Sequence, residues 1–282
     1  VNYHVIVACH NRKELTVQAI TRAQIAADVA DVRISFTVFD DGSTDGTAEA
    51  LSAMSESIRV LRGDGSAFWA QSMAIAEKDV LSRDESGDGG FLVWLNDDVA
   101  LDENAFVRVK SVFAGVPEAS IVVGAMRDPT TSQVTYSGMR RNGLHPLSYE
   151  LVDPGHGTQL VDTFNGNFVV VPIAVAVLLK GIDGGFSHAL ADIDYGIRAA
   201  RAGIPRVLAP GTFGTCERNQ TPPRQSIRQD WRAFLNAKGG GNYLSLRRIL
   251  RKRNRLTWRF VIALTYLLWW ARRFVGTGRK VG

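Results

Sequence analysis

With 282 residues, 45% of them apolar and 22% charged, the chain can bury one substantial core, which argues against a disordered protein. Cys9 and Cys216 are the only cysteines, which excludes a disulfide framework and suits a reducing compartment. The net charge of +5 hides a division: residues 1–230 carry 20 Lys/Arg against 28 Asp/Glu, whereas 231–282 carry 13 Lys/Arg and no acid.

Val1-Asn2-Tyr3-His4 leads straight into an apolar run without the pattern of a secretory leader, so a cytoplasmic protein is expected. Val5-Ile6-Val7-Ala8-Cys9 predicts a first strand ending in the polar His10-Asn11-Arg12. Residues 36–39 and 91–95 predict two more strands, being short runs of β-formers that stop in acid at Asp40-Asp41 and at Asn96-Asp97-Asp98. Helices are expected over 45–54 and 72–81, then a polar connection over 82–90 and a helix over 102–113. A buried strand at 121–124 precedes a long excursion over 129–154, of the kind that carries substrate contacts. A strand at 168–171 follows, then a helix over 191–202 that bears Asp192-Ile193-Asp194 and ends at Gly203, with Pro205 beyond. No internal repeat interrupts this order.

Alternating strands and helices predict an α/β protein with an open, mostly parallel sheet flanked by helices, whose ligands bind outside the carboxyl ends of the strands. The polar strand endings should therefore share one crevice. Clustered carboxylates repel one another and lose hydration, so they persist where a cation or polar ligand lies between them.

Residues 1–230 are expected to form the α/β domain and 231–282 a basic, amphipathic helical tail. In the tail, basic residues 247–253 precede an uncharged run at 260–271 closed by Arg272 and Arg273. That run is shorter than the roughly 20 residues a bilayer span needs. It reads as an interfacial helix on an anionic membrane surface, with Trp258, Trp269 and Trp270 at headgroup level. The competing reading is a helix that docks its apolar side on the α/β domain. No base-reading motif is present, so nucleic acid is not an expected partner.

In order and spacing, residues 3–215 resemble the nucleotide-sugar glycosyltransferases of family 2. The residues that carry this are the turn Cys9-His10-Asn11-Arg12, the run Asp40-Asp41-Gly42-Ser43-Thr44-Asp45, Asn96-Asp97-Asp98 at the Asp-x-Asp position, and Asp192-Ile193-Asp194 with Arg198 on the acidic helix. The resemblance implies a Rossmann-like GT-A fold and an inverting, metal-dependent transfer. The sugar would pass from a UDP- or dTDP-sugar to a hydroxyl of a lipid-linked or polysaccharide acceptor, at the inner face of the plasma membrane, in bacterial surface polysaccharide synthesis. It also implies that Asp98 ligates Mg²⁺ or Mn²⁺, that Asp97 approaches the ribose and Asp40 the base, that Asn11 and Arg12 belong to the nucleotide site, and that Asp192 is the general base. Gly63-Asp64-Gly65-Ser66-Ala67-Phe68-Trp69-Ala70 resembles a segment of members that act on surface polysaccharides, which puts Asp64 at base or ribose and Trp69 against a sugar. Asn165 and Asn167 are expected at the donor sugar or the acceptor.

The chain departs from the pattern in two places. Asn96 removes one carboxylate, and Phe213-Gly214-Thr215-Cys216-Glu217 stands where members often carry a metal-contacting His. Cys216 or Glu217 is the expected substitute. Blander roles compete at several positions: helix capping for Asp192, Ser43 and Asp45, an i,i+4 ion pair for Asp194 with Arg198, and loop support for Asp41.

Other activities fit less well. A haloacid-dehalogenase phosphatase needs its nucleophilic Asp at position 39, which is Phe. A calcium loop starting at Asp41 needs Glu at 52, which is Ser. A dinucleotide site needs a Gly-x-Gly-x-x-Gly after the first strand, where His10-Asn11-Arg12 stands instead. A non-catalytic membrane adaptor with a degenerate domain is the alternative outside enzymes, and it has no need of an acid at 192.

Overall fold

The computed structural model describes residues 1–55, 57–83, 90–218 and 226–275. Most of the connection expected at 82–90 and the last residues of the tail lie outside the described residues.

The first half winds regularly through β1 (Asn2–Cys9), α1 (Lys13–Val29), β2 (Arg33–Asp40), α2 (Thr47–Met54), β3 (Ile58–Arg62), α3 (Phe68–Arg83) and β4 (Phe91–Leu95). β1 pairs in parallel with both β2 and β4, and β2 with β3. Val5, Ile6 and Val7 have no exposed surface, because helices cover both faces of the sheet. Ala19, Ala23 and Ala27 of α1 pack on one face, and Ala70, Met73 and Ala76 of α3 on the other. Two-sided burial is why these strands read as continuous apolar runs.

Beyond β4 come β5 (Ala100–Leu101), α4 (Ala105–Ala114), β6 (Ile121–Arg127), β7 (Val134–Tyr136), β8 (Gly138–Arg141), β9 (Tyr149–Leu151), β10 (Gln159–Leu160), β11 (Thr163–Phe164) and β12 (Phe168–Pro172). They are followed by α5 (Ile173–Leu179), α6 (Ala191–Arg201), β13 (Arg206–Thr215), α7 (Ile227–Leu235), α8 (Tyr243–Arg253) and α9 (Trp258–Val275). The main sheet runs in the order β10-β13-β6-β12-β4-β1-β2-β3. β12 lies antiparallel to both β4 and β6, so one strand in the middle of the sheet is reversed. The excursion expected at 129–154 forms β7, β8 and β9, and β8 and β9 join β11 in a small second sheet.

The helices expected at 45–54, 72–81 and 102–113 are present with shifted starts. The largest shift brings α3 forward to Phe68, so Trp69 lies within the helix and not before it. In the tail, Leu246, Ile249 and Leu250 of α8 and Val261 and Ile262 of α9 are buried in the same core cluster as α3 and α6. This face of the tail therefore docks on the domain. Phe260 and Leu267 of α9 remain about two-thirds exposed.

Candidate active site

The register pairs Cys9 with Asp40 and Ile6 with Trp94, so β1, β2 and β4 end along one edge of the sheet. At that edge Asn11 adopts a left-handed backbone (φ 52), which Asn tolerates better than most residues. Its amide N–H donates to Ser43 Oγ (2.8 Å) and its side-chain oxygen accepts from Thr44 N–H (2.8 Å). Asn11 thus ties the β1–α1 turn to the β2–α2 loop.

Asp40 is buried, and its Oδ1 accepts from Ser43 N–H at 2.9 Å. Asp41 supports the neighbouring loop: Oδ1 accepts from Gly65 and Ala67 N–H (3.0 and 3.2 Å) and Oδ2 from Phe68 N–H (2.9 Å). Gly42 (φ +72) packs so closely on Gly65 that a Cβ there would stand 2.7 Å from the Gly65 nitrogen. Only glycine suits that position. Asp64, at the exposed tip of this loop, accepts from Ser66 N–H at 3.0 Å, and the Ser66 hydroxyl leads the contacts that lower its pKa. Asp45 accepts from Lys13 N–H (3.0 Å) and Thr47 N–H (3.1 Å), which ties together the starts of α1 and α2.

The Arg12 guanidinium bridges the acid pair after β4: Nη1 lies 3.0 Å from Asp97 Oδ1 and 3.0 Å from Asp98 Oδ2. Burial raises the Asp97 pKa to about 6 against the pull of Arg12. The Cys216 thiol donates to Asp98 Oδ1 at 3.4 Å, and its pKa is pushed up by burial and by Asp98. Cys216 therefore stays protonated at neutral pH. Among the described residues, no three His, Cys, Asp or Glu side chains stand together as a ready metal cage.

A short chain of contacts leads from this pair to Asp192. Asn96 Oδ1 accepts from Trp69 Nε1–H at 2.8 Å. The Trp69 ring lies against Gly166, where a Cβ would stand 2.8 Å from the indole. Gly166 N–H donates to Asp192 Oδ2 at 3.2 Å, while Ile193 N–H donates to Oδ1 at 2.8 Å. Asp192 is half-buried, and loss of hydration raises its pKa to about 6 despite those two amides. The cap of α6 is Leu190, so Asp192 does not occupy the N-cap position itself. Asn165 is half-buried, and its N–H donates to Ser137 O at 3.2 Å. Asn167 is buried, and its amide points at Cys216 Sγ (3.5 Å). Asp194 forms the expected ion pair with Arg198 (2.8 Å).

Asp98, Asp97, Asn96, Trp69, Gly166 and Asp192 thus form one connected wall, which Arg12 and Asn11 extend to the loop after Asp40. Sequence reasoning missed two participants. His188 precedes α6 and has a buried Nδ1 with no partner among the described residues; burial and the charges of Lys238 and Arg12 lower its pKa to about 4, so it is neutral at pH 7. Lys252 of α8 reaches Asp194 at 2.9 Å. No signal local to Asp194 announces a cation from the tail.

No family model and no curated protein matches the chain. Among solved structures it is similar to S. aureus TarS 1–349 in complex with UDP-GlcNAc, at 12% identity and TM-score 0.60, over 89% of this chain and 66% of that one. Another structure of S. aureus TarS 1–349 aligns at 12% identity and TM-score 0.54, over 77% of this chain. The match spans 60% of the length of that TarS fragment. The mannosyltransferase PcManGT from Pyrobaculum calidifontis, in complex with GDP-Man and Mn²⁺, is similar over 99% of this chain and 76% of that one, at 13% identity and TM-score 0.53. Together with the sheet order and its reversed strand, these likenesses show that the chain has the GT-A fold of nucleotide-sugar glycosyltransferases.

Proposed function

We propose that the chain is an inverting glycosyltransferase of family 2 that moves a sugar from a nucleoside-diphosphate sugar to a hydroxyl of a lipid-linked or polysaccharide acceptor. The observation that carries the reading is Asp192: a carboxylate with a pKa raised to about 6, held by two backbone amides and linked through Gly166, Trp69 and Asn96 to the Asp97–Asp98 pair. A base with a pKa near the working pH removes a hydroxyl proton effectively without being protonated itself. Asp192 takes the acceptor proton as that oxygen attacks the anomeric carbon from the side opposite the diphosphate, which inverts the centre. In this reading Asp40, Asp64, Asp97, Asn11 and Arg12 serve the nucleotide, and Trp69, which links the two carboxylate groups, serves the sugar together with Asn165 and Asn167 on either side of Gly166.

The donor set fits a hard divalent cation. Asp98 and Asp97 offer carboxylate oxygens, the nearby thiol stays protonated, and Mg²⁺ or Mn²⁺ binds through one or two carboxylates plus substrate phosphates. Held there by Asp98 and Asp97, such an ion would offset the charge of the departing diphosphate. Arg12 neutralises both carboxylates, which would share their charge with a cation held there.

The exposed face of α9 presents Phe260, Ala263, Leu267 and Ala271 at helical spacing, flanked by Arg259 and Arg272. Among the described residues, no helix is long and apolar enough to cross a membrane. An apolar stripe edged by arginines is the pattern of a helix lying in an anionic interface, and supports peripheral attachment to the cytoplasmic face of the membrane.

The test is a panel of UDP-, dTDP- and GDP-sugars with Mn²⁺ and a lipid-linked acceptor. Asp192→Asn is expected to lower transfer by about 10²- to 10⁴-fold while the nucleotide-dependent thermal shift persists. A wild-type protein that shows no shift with any nucleotide, or a variant with undiminished transfer, overturns the reading.

A further inference from the structure

Residues 180–190 carry the chain from α5 into the start of α6, where Asp192 lies, and end on Leu190 in a left-handed backbone (φ 80). One anchor of this segment is the domain itself. Buried Glu77 of α3 accepts from Ile182 N–H at 2.5 Å, and Arg198 donates to the carbonyls of Leu179 and Gly181 (2.5 and 2.9 Å).

The other anchors come from the tail. Arg248 of α8 grips Asp183 with Nε and Nη2 at 2.7 and 2.6 Å. Lys252 Nζ stands 2.5 Å from Asp183 and 2.9 Å from each carboxylate oxygen of Asp194, which is itself 2% exposed. Ser187 N–H donates to Ser245 Oγ (3.2 Å), and the Ser187 hydroxyl donates to Ala237 O (2.9 Å). The Arg248 and Lys252 cations lie 5.9 and 5.2 Å from the centre of the Phe186 ring. Although burial opposes it, hydrogen bonds from Arg248 and Lys252 hold Asp183 well below the ordinary carboxylate range.

Among the described residues, the acids of the nucleotide side take no partner from the tail. Asp40, Asp41 and Asp45 are satisfied by backbone amides of residues 13–68.

We propose that α8 is a positioning element for the transfer step: Lys252 and Arg248 template residues 183–190, and so fix the start of α6 and Asp192 against the Asn165-Gly166-Asn167 turn. Asp194 is the link. It sits two residues beyond Asp192 in the same first turn, and its buried charge is balanced by Arg198 from its own helix and by Lys252 from the tail. Removing one of two cations from a buried carboxylate leaves it under-compensated and loosens the turn that holds it. The consequence for catalysis rests on the glycosyltransferase reading, whereas the templating of 183–195 does not.

The experiment compares full-length Lys252→Met and Lys252→Arg with wild type by hydrogen exchange and by steady-state kinetics. For Lys252→Met, exchange is expected to rise severalfold in peptides covering 183–195 and to stay unchanged in those covering 9–45 and 62–70. Its kcat is expected to fall about tenfold with KM for the donor within twofold, and Lys252→Arg restores both readouts. Unchanged exchange over 183–195, or equal loosening of the nucleotide side, overturns the proposal. So does an unaltered kcat in an active enzyme. Localised loosening in a protein without any transferase turnover supports the templating and overturns the functional reading alone. Should Lys252→Met fail to fold, Arg248→Gln is read by the same outcomes.

Discussion

The two sides of the crevice hold their acids by different means. On the nucleotide side, Asp40 and Asp41 accept backbone amides from their own and the next loop, and Asp97 and Asp98 share Arg12 from the turn after β1. On the side of α6, Asp183 and Asp194 are matched by Arg248 and Lys252 of a helix near the end of the chain. A carboxylate bound to backbone depends on the path of one loop, so it forms with the sheet that sets that path. Asp183 and Asp194, matched by side chains of α8, are complete only after the tail has docked. The first side is a frame, and the second is an assembly.

Asp192→Asn, at the seam between the two, carries the largest expected loss. Next comes the frame itself. Asp41→Ala strips three amides of a charged acceptor, and at about 1.5 to 3 kcal/mol for a bond to a charged group, with partial recovery by water, a net loss of about 3 kcal/mol is expected. Urea unfolding measures it, together with loss of the nucleotide-dependent thermal shift. A variant with wild-type stability and nucleotide binding would falsify the idea that Asp41 organises this loop.

Acidity sharpens the comparison differently. Asp192 must be ionised to take a proton, so kcat is expected to fall about tenfold per unit below pH 6. Stability responds with the opposite sign. Because the folded pKa of Asp192 lies above its ordinary value of 3.8, the folded state binds this proton more tightly than the unfolded one. Its share of stability is complete below 3.8 and is lost as pH rises through about 6. A pH–rate profile with no acid limb in that range removes Asp192 as the base.

The smallest effect is expected on the outer face of the tail. Leu267→Glu or Phe260→Asp should weaken binding to anionic vesicles severalfold, since each removes an apolar side chain worth about 1.5 to 3 kcal/mol when fully buried. Turnover on a water-soluble acceptor should stay within twofold. Equal vesicle binding by wild type and both variants sinks the docking surface. Point changes suit this purpose better than deletion from residue 244, which would strip buried Leu246, Ile249 and Leu250 from the core.

Much of the frame was legible because its signals are local. Strands covered on both faces must be apolar throughout, so their abrupt ends at Asp40 and Asn96 mark the edge where ligands bind. The start of α3 was misplaced for the complementary reason. The acceptor for the Phe68 amide is Asp41, 27 residues earlier, and no capping residue beside the helix reveals it. The tail was ambiguous because an apolar stripe edged by arginines has the same pattern whether it meets lipid or protein. In the fold it divides, with Val261 and Ile262 turned inward and Phe260 and Leu267 outward.

The order of residues by itself determined that acids stand at the ends of buried strands and at the start of one helix, because burial and helix periodicity are written in neighbouring positions. Only the tertiary structure decided which cation faces which acid. Electrostatic attraction depends on separation in space and is indifferent to the 58 positions that separate Asp194 from Lys252 along the chain.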